Sequence, residues 1–329
     1  MKSKMNAEDR EIAVHCENLH KVYRAGTSRA VSALNGVDIT VRRGEVFGLL
    51  GRNGAGKTTL LRILTTLILP TSGKVSVLGF DAVRHPVEIR RRLCAVLQEN
   101  AAEIYLSVID NLRTFARFHS IPKDRWDRKI DEAILRFGLE EFQSQKVIDL
   151  SGGVKRRVQV AKAFMADTPL VFLDEPTTGM DPITKRSTLE AFREQAQNGR
   201  TVVLSTHILQ EAEELCDTIV LLDHGRVVAS GPLATVTSRV SDLLDISVTF
   251  RTLTDDLFNA FLALSPVKIA RHRDTVEMSV PIARADVLAS IGKLAMEHPI
   301  VALETHGATL EDVYIELLGG EMKEPRPWS

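Results

Sequence analysis

The stretch Gly51-Arg52-Asn53-Gly54-Ala55-Gly56-Lys57-Thr58 constrains this chain more than any other part of it, because glycines at that spacing before a Lys-Thr pair suit one backbone arrangement. The apolar run Val46 to Leu50 leads into it, and an apolar-periodic stretch from Lys57 to Leu69 follows and stops at Pro70. This order predicts a buried strand, a tight loop and a helix over 57–69. In that setting the glycines let backbone N–H groups converge on the phosphates of a nucleoside triphosphate. The helix N-terminus adds its positive end, Lys57 supplies a mobile charge, and Thr58 offers a hydroxyl to Mg2+.

A second landmark is Leu170-Val171-Phe172-Leu173, a continuous apolar run of the kind found in a parallel sheet covered on both faces. It ends in Asp174, where a carboxylate would meet the metal held by Thr58, and Glu175 follows at once, suited to a general base that polarises an attacking water. Phosphate loops serve kinases, GTPases, helicases and motors alike, so the loop does not choose among them. Guanine-reading Asn-Lys-x-Asp motifs are absent from the sequence.

The rest of the chain alternates strand and helix. Ala13 to Val41 predicts antiparallel strands with turns at Arg24-Ala25-Gly26 and Asn35-Gly36. Strands are expected at Lys74–Leu78 and Arg92–Leu97, and a helical insert between Ser107 and Phe142. A helix follows Ser151; strands at 201–204, 218–222 and 226–230 then interleave with helices at 184–198 and 208–216. That pattern is an α/β core with right-handed crossovers. At 329 residues the chain is long for one domain, and Gly231-Pro232 is the expected boundary. Beyond it the order strand, helix, strand, strand, helix, strand over 245–305 is ferredoxin-like, followed by a helix at Leu310 to Leu318. The expected division is therefore 11–231, 232–320 and a loose tail at 321–329.

Leu150-Ser151-Gly152-Gly153 ahead of a basic helix, standing shortly before the Asp174-Glu175 strand, resembles the signature of ATP-binding-cassette (ABC) proteins. The resemblance extends in family order from Val14 to about Gly231. It implies a P-loop NTPase cassette with a mixed sheet core, an antiparallel β edge and a helical subdomain, to which the ferredoxin-like α+β domain is appended. Its nucleotide cradle would be Gly51, Asn53, Gly54, Ala55, Gly56, Lys57, Thr58 and Thr59, with Tyr23 stacking on adenine. Thr58, Gln98 and Asp174 would hold Mg2+, and Glu175, His207 and Lys57 would act on ATP. Gln98 and the segment 99–110 would link the site to a permease. The resemblance also implies a homodimer in which Ser151, Gly152 and Gly153 reach the ATP of the other subunit, and in which Asp181 of Gly179-Met180-Asp181 touches that subunit. Val154 departs from the long side chain usual there, and is expected to tune subunit packing or coupling rather than to abolish hydrolysis.

The segment Leu310-Glu311-Asp312-Val313-Tyr314 resembles the ending of ATPase subunits in ABC-2 class exporters of drugs, antibiotics and polysaccharides, whose permease is a separate chain. The rival reading is a non-transport cassette ATPase of translation or DNA repair. Such proteins carry two cassettes or a long coiled-coil insertion, and neither is visible. A regulatory role for the ferredoxin-like domain is compatible with either.

Composition narrows the partners. Lys plus Arg (42) balance Asp plus Glu (43), so no basic field favours nucleic acid. Lys155-Arg156-Arg157 and Arg90-Arg91-Arg92 read as solvated helix faces. Cys16, Cys94 and Cys216 are far apart, as reduced core thiols are in the cytoplasm. No apolar run approaches the roughly 20 residues that span a bilayer, and Met1 to Arg10 is polar. The expected place is the inner face of the membrane, with no span of its own.

Overall fold

Period-two burial builds the first pair of strands. In β1 (Ile12–Tyr23) Val14 and Cys16 are buried while His15 and Glu17 are exposed, and in β2 (Val31–Arg42) Val37, Ile39 and Val41 alternate in the same way with Asp38, Thr40 and Arg42. The two pair antiparallel. Asn35-Gly36 is not a turn: β2 runs straight through it. Leu19 faces Val37 and His20 faces Asn35, so Gly36 is the extra residue of a bulge, at φ +74°.

This computed structural model describes residues 11–97, 103–238 and 243–318, and the chain divides after Pro232 into two compact units. In the first, β3 (Val46–Leu50) is buried at all five positions and leads through the glycine loop into α1 (Lys57–Leu64). This helix ends well before Pro70. Thr66 takes a left-handed conformation at φ +61°, and the N–H groups of Leu67 and Thr66 bond back to the carbonyls of Arg62 and Ile63. That is a Schellman closure, and it satisfies the last carbonyls without any proline.

β4 (Ser72–Val77) and β5 (Phe80–Asp81) complete a four-stranded antiparallel sheet in the order β2-β1-β4-β5. A short α2 (Pro86–Arg90), with proline at its first position, precedes β6 (Leu93–Val96). The helical region is α3 (Val108–Phe118), α4 (Trp126–Arg136) and α5 (Gly152–Met165). The chain then returns to the sheet through β7 (Leu170–Asp174), α6 (Pro182–Gln197), β8 (Thr201–Thr206), α7 (Leu209–Leu215), β9 (Thr218–Asp223) and β10 (Arg226–Pro232).

The main sheet runs β10-β9-β3-β8-β7-β6, parallel throughout except for β10 against β9. Register places Leu50 beside Thr206 and Asp174 beside Ser205. The carboxyl ends of β3, β8 and β7 are therefore adjacent, which is where open α/β sheets hold their ligands. A continuous core under both sheets includes Val14, Leu34, Phe47, Leu60, Phe172 and Val203. All three cysteines are free and buried, and burial pushes the Cys94 thiol up to about 11.

The second unit begins with α8 (Leu233–Thr237), then β11 (Leu243–Phe250), α9 (Asp255–Leu262), β12 (Lys268–His272), β13 (Thr275–Pro281), α10 (Ala285–Glu297), β14 (Ile300–His306) and α11 (Leu310–Leu318). Its sheet is antiparallel in the order β12-β13-β11-β14, the interleaved βαββαβ arrangement of the ferredoxin-like fold. Ile246, Val248 and Phe250 alternate into its own core with Phe261, Met278, Val287 and Ile291. The tail at 321–329 lies outside the described residues.

Candidate functional site

The glycine loop takes its shape from contacts that leave no room for side chains. A Cβ on Gly51 would lie 2.2 Å from the carbonyl oxygen of Leu222, and one on Gly56, at φ +108°, would lie 2.6 Å from that of Ala33. With the loop drawn in this way, Ala33, Asn53, Gly54, Gly56, Lys57, Thr58, Thr59 and Glu175 line a cleft of about 410 Å3. Ala55 does not line it; the residue is buried and its N–H closes the loop on the Arg52 carbonyl at 3.1 Å. Tyr23 reaches the same place from the end of β1, its hydroxyl 3.4 Å from that of Thr59.

Lys57 lies buried at the cleft floor, donating to the carbonyls of Gly51 at 2.7 Å and Arg52 at 3.2 Å. Burial lowers its pKa, and the nearby carboxylates of Glu175 and Asp174 work against that. Asp174 is completely buried at the end of β7. Its carboxylate accepts the Thr58 hydroxyl at 3.0 Å on one oxygen and the Ser205 hydroxyl on the other. A hydroxyl and a carboxylate are hard oxygen donors, the set that suits Mg2+.

Glu175 follows on left-handed backbone, φ +50°, a conformation that costs a non-glycine residue roughly 1 kcal/mol and persists where neighbours hold it. Two neighbours do so. Its N–H donates to the Ser205 carbonyl at 2.9 Å, and its carboxylate pairs with Nδ1 of His207 at 3.0 Å. The site thus gathers Lys57, Thr58, Asp174, Glu175 and His207 from three strand ends.

The signature lies elsewhere. Ser151 caps α5, accepting the Val154 N–H, and Ser151 and Gly152 are exposed. None of Ser151, Gly152 and Gly153 lines the cleft. Val154 is buried in the first turn of α5, so it fills space inside its own subunit rather than tuning the packing between two. Asp181 caps α6, receiving the N–H groups of Ile183 and Thr184 and the Thr184 hydroxyl, bonds that hold its carboxyl below the usual range. Gln98, and the segment beginning at Glu99 up to residue 102, lie outside the described residues.

One reading of the basic helix is overturned. Lys155-Arg156-Arg157 is not a solvated face: Lys155 donates to the Ile148 carbonyl, Arg157 to that of Gly138, and Arg156 is buried. The Arg156 guanidinium binds the carbonyls of Asp174 and Leu97 and the Gln159 side chain, tying the signature helix to the strand that carries the acidic pair. The mistake has a physical origin, since α5 is buried on nearly every side and an apolar stripe does not mark out a wet face. Arg90, Arg91 and Arg92 are exposed. Ala33 and Glu211 carry no motif of their own; the local signal for Glu211 is a charge four residues before buried Leu215, on the inner face of α7.

The family profile of ABC transporters matches residues 34–178. The daunorubicin resistance ATP-binding protein DrrA3 of Streptomyces coeruleorubidus is 34% identical over 296 residues, covering 88% of this chain and 92% of that protein. The chain belongs to the ABC transporter family of ATP-binding subunits. It is an ATPase of that family, and the Nod factor export ATP-binding protein I of Cupriavidus pinatubonensis is similar to it at 34% identity over 88% of this chain and 87% of that one.

Solved cassettes agree in fold. An ATP-binding subunit of an ABC transporter superposes with a TM-score of 0.63 at 31% identity, covering 69% of this chain and 92% of that chain. A dimeric cassette in a post-hydrolysis state, bound to ADP and Pi, superposes with a TM-score of 0.62 at 26% identity, covering 67% and 98%. Among the described residues of this ATPase no helix is long and apolar enough to cross a membrane.

Proposed function

We propose that the chain is one half of a symmetric pair of cassettes that closes on two ATP molecules and powers a separate membrane permease of the ABC-2 exporter type. The observation that carries this reading is the separation of the two motifs: the cleft is built from the glycine loop and Glu175, while Ser151, Gly152 and Gly153 stand apart from it at the start of α5. A two-fold axis turns such separated halves into two complete sites, each with a cleft from one protomer and a signature from its partner. ATP bridges both chains only in the closed pair, which gives it the differential affinity that closure requires. The solved dimeric cassette bound to ADP and Pi supports the pairing, and relatives named for daunorubicin resistance and Nod factor export support the exporter assignment.

In this reading Lys57 leaves the Gly51 and Arg52 carbonyls for the phosphates, which also accept the free N–H groups at the start of α1. Tyr23 stacks on the base. Thr58 and Asp174, with Gln98, hold Mg2+, which when bound offsets phosphate charge. Glu175 takes the proton of the attacking water, and His207 keeps that carboxylate aimed. Hydrolysis cuts the bridge and the protomers part, and Gln98 with the segment after it passes this motion to the permease at the cytoplasmic face.

Glu175→Gln keeps the shape and loses the base. It is expected to bind ATP normally, to lose about 100-fold or more of its turnover, and to accumulate an ATP-bound dimer by light scattering. Turnover at the wild-type rate would overturn the reading.

A further inference from the structure

Behind the Glu175–His207 pair sits a carboxylate that this hydrolysis scheme leaves unused. The side chain of Glu211, on α7, has no exposed surface, and three donors converge on it: the Thr177 hydroxyl at 2.6 Å, the Thr206 hydroxyl at 2.8 Å and the Lys185 ammonium at 2.9 Å. Each donor belongs to a different piece of the site. Thr177 is two residues past Glu175, in the loop that runs to Asp181. Thr206 ends β8 and immediately precedes His207. Lys185 stands in the first turn of α6, the helix that Asp181 caps.

A buried carboxylate needs partners, and a fold that wanted only to neutralise it would supply one nearby cation. Here the partners are divided among three segments. Thr206 adds a further constraint, because its hydroxyl also accepts the Ile208 N–H at 3.0 Å and so sets the backbone on the far side of His207. The Glu175 segment and the His207 segment are already joined at the front by the bonds from Glu175 to Ser205 and to His207. A second join at the back, through Glu211, fixes their relative orientation as well as their distance. The left-handed backbone at Glu175 is the kind of conformation that such double anchoring maintains.

We propose that Glu211 is a positioning residue for ATP hydrolysis, locking the loop of Glu175 to the strand end of His207 from behind. The inference rests on the reading of Glu175 and His207 as the hydrolytic pair. Gly179 of the same loop lies against Gly153 of the signature, so the loop that Glu211 anchors through Thr177 is also the loop that the signature touches.

The test uses the full chain and the variants Glu211→Gln, Thr177→Val and Thr206→Val, with steady-state kcat and KM for ATP and the thermal unfolding midpoint of each. Misplaced catalytic groups cost about 10- to 100-fold in rate, so Glu211→Gln and Thr206→Val are expected to lose that much kcat, with KM within about threefold of wild type. Both cut the bond between Glu211 and Thr206, so their losses should combine to less than their product in the double variant. A structural role alone would lower the midpoint and leave kcat of the folded enzyme unchanged. That outcome overturns the inference, and so do losses that multiply in the double variant or that appear in KM instead of kcat. If Glu211→Gln does not fold, Thr206→Val, which removes one hydroxyl and keeps the shape, decides the matter. Failure of the underlying reading looks different: Glu175→Gln would then turn over ATP normally.

Discussion

Gly153 and Gly179 lie so close that a Cβ on Gly153 would sit 2.1 Å from the Gly179 carbonyl oxygen. The first turn of the signature helix and the loop ahead of α6 are thereby in backbone contact within one subunit, with Gly179 itself in a left-handed conformation at φ +76°.

Gly153→Ala therefore forces a backbone shift and is expected to cost about 1–3 kcal/mol, as overpacking does, read as a lower urea midpoint. Gly152→Ala is the control, since a Cβ there meets nothing within 4 Å. Its stability should stay within about 0.5 kcal/mol of wild type or rise slightly, while ATP-driven dimerisation is expected to weaken, because in the proposed pair Gly152 faces the partner's nucleotide. Equal stability losses in the two variants would contradict the contact.

Lys57→Ala removes a buried cation whose proposed partners are the phosphates. Truncating one side of a desolvated charge pair costs about 2–5 kcal/mol, so ATP affinity measured by calorimetry should fall roughly 30-fold or more. Unchanged affinity would contradict the phosphate-loop reading.

Lys162 offers a pH test of the fold. Its ammonium is buried on α5 and donates to the Asn111 side chain at 2.9 Å; burial lowers its pKa from 10.5 to about 8, with Glu103 and then Cys94 opposing. The folded chain releases this proton before the unfolded chain does. Between those two values the unfolded state binds more protons, so stability rises with pH across that window, and below it the burial cost is present in full. Lys162→Met, which keeps the stem, should flatten the rise in urea midpoint between about pH 8 and pH 10. Matching slopes for variant and wild type would count against this assignment.

Much of the site was legible because its chemistry is local. Gly51 to Thr58 carries its own loop and helix start, Asp174-Glu175 ends an unbroken apolar run, and Ser205-Thr206-His207 ends another. Where local signals misled, a competing local force won. The helix expected to Leu69 closes at Leu64 because Thr66 accepts a left-handed turn, and Asn35-Gly36 is a bulge because the β2 residues before and after it both pair with β1.

Residue order was enough to settle the strand–helix alternation, the nucleotide loop and the ferredoxin-like order of the second unit, since spacing and periodicity act over a few residues. It was silent on Arg156 reaching the Asp174 carbonyl, on Glu211 joining Thr177 to Thr206, and on Gly153 meeting Gly179. Those pairs are separated by 18, 34 and 5, and 26 positions in the chain. Except for Thr206, none is within reach along its own element, and each becomes a neighbour only when the sheet brings the ends of β7 and β8 together and buries the helices against them. Burial is then what gives a charge or a glycine its meaning: the same Arg that is idle on a wet face must find carbonyls when α5 is enclosed.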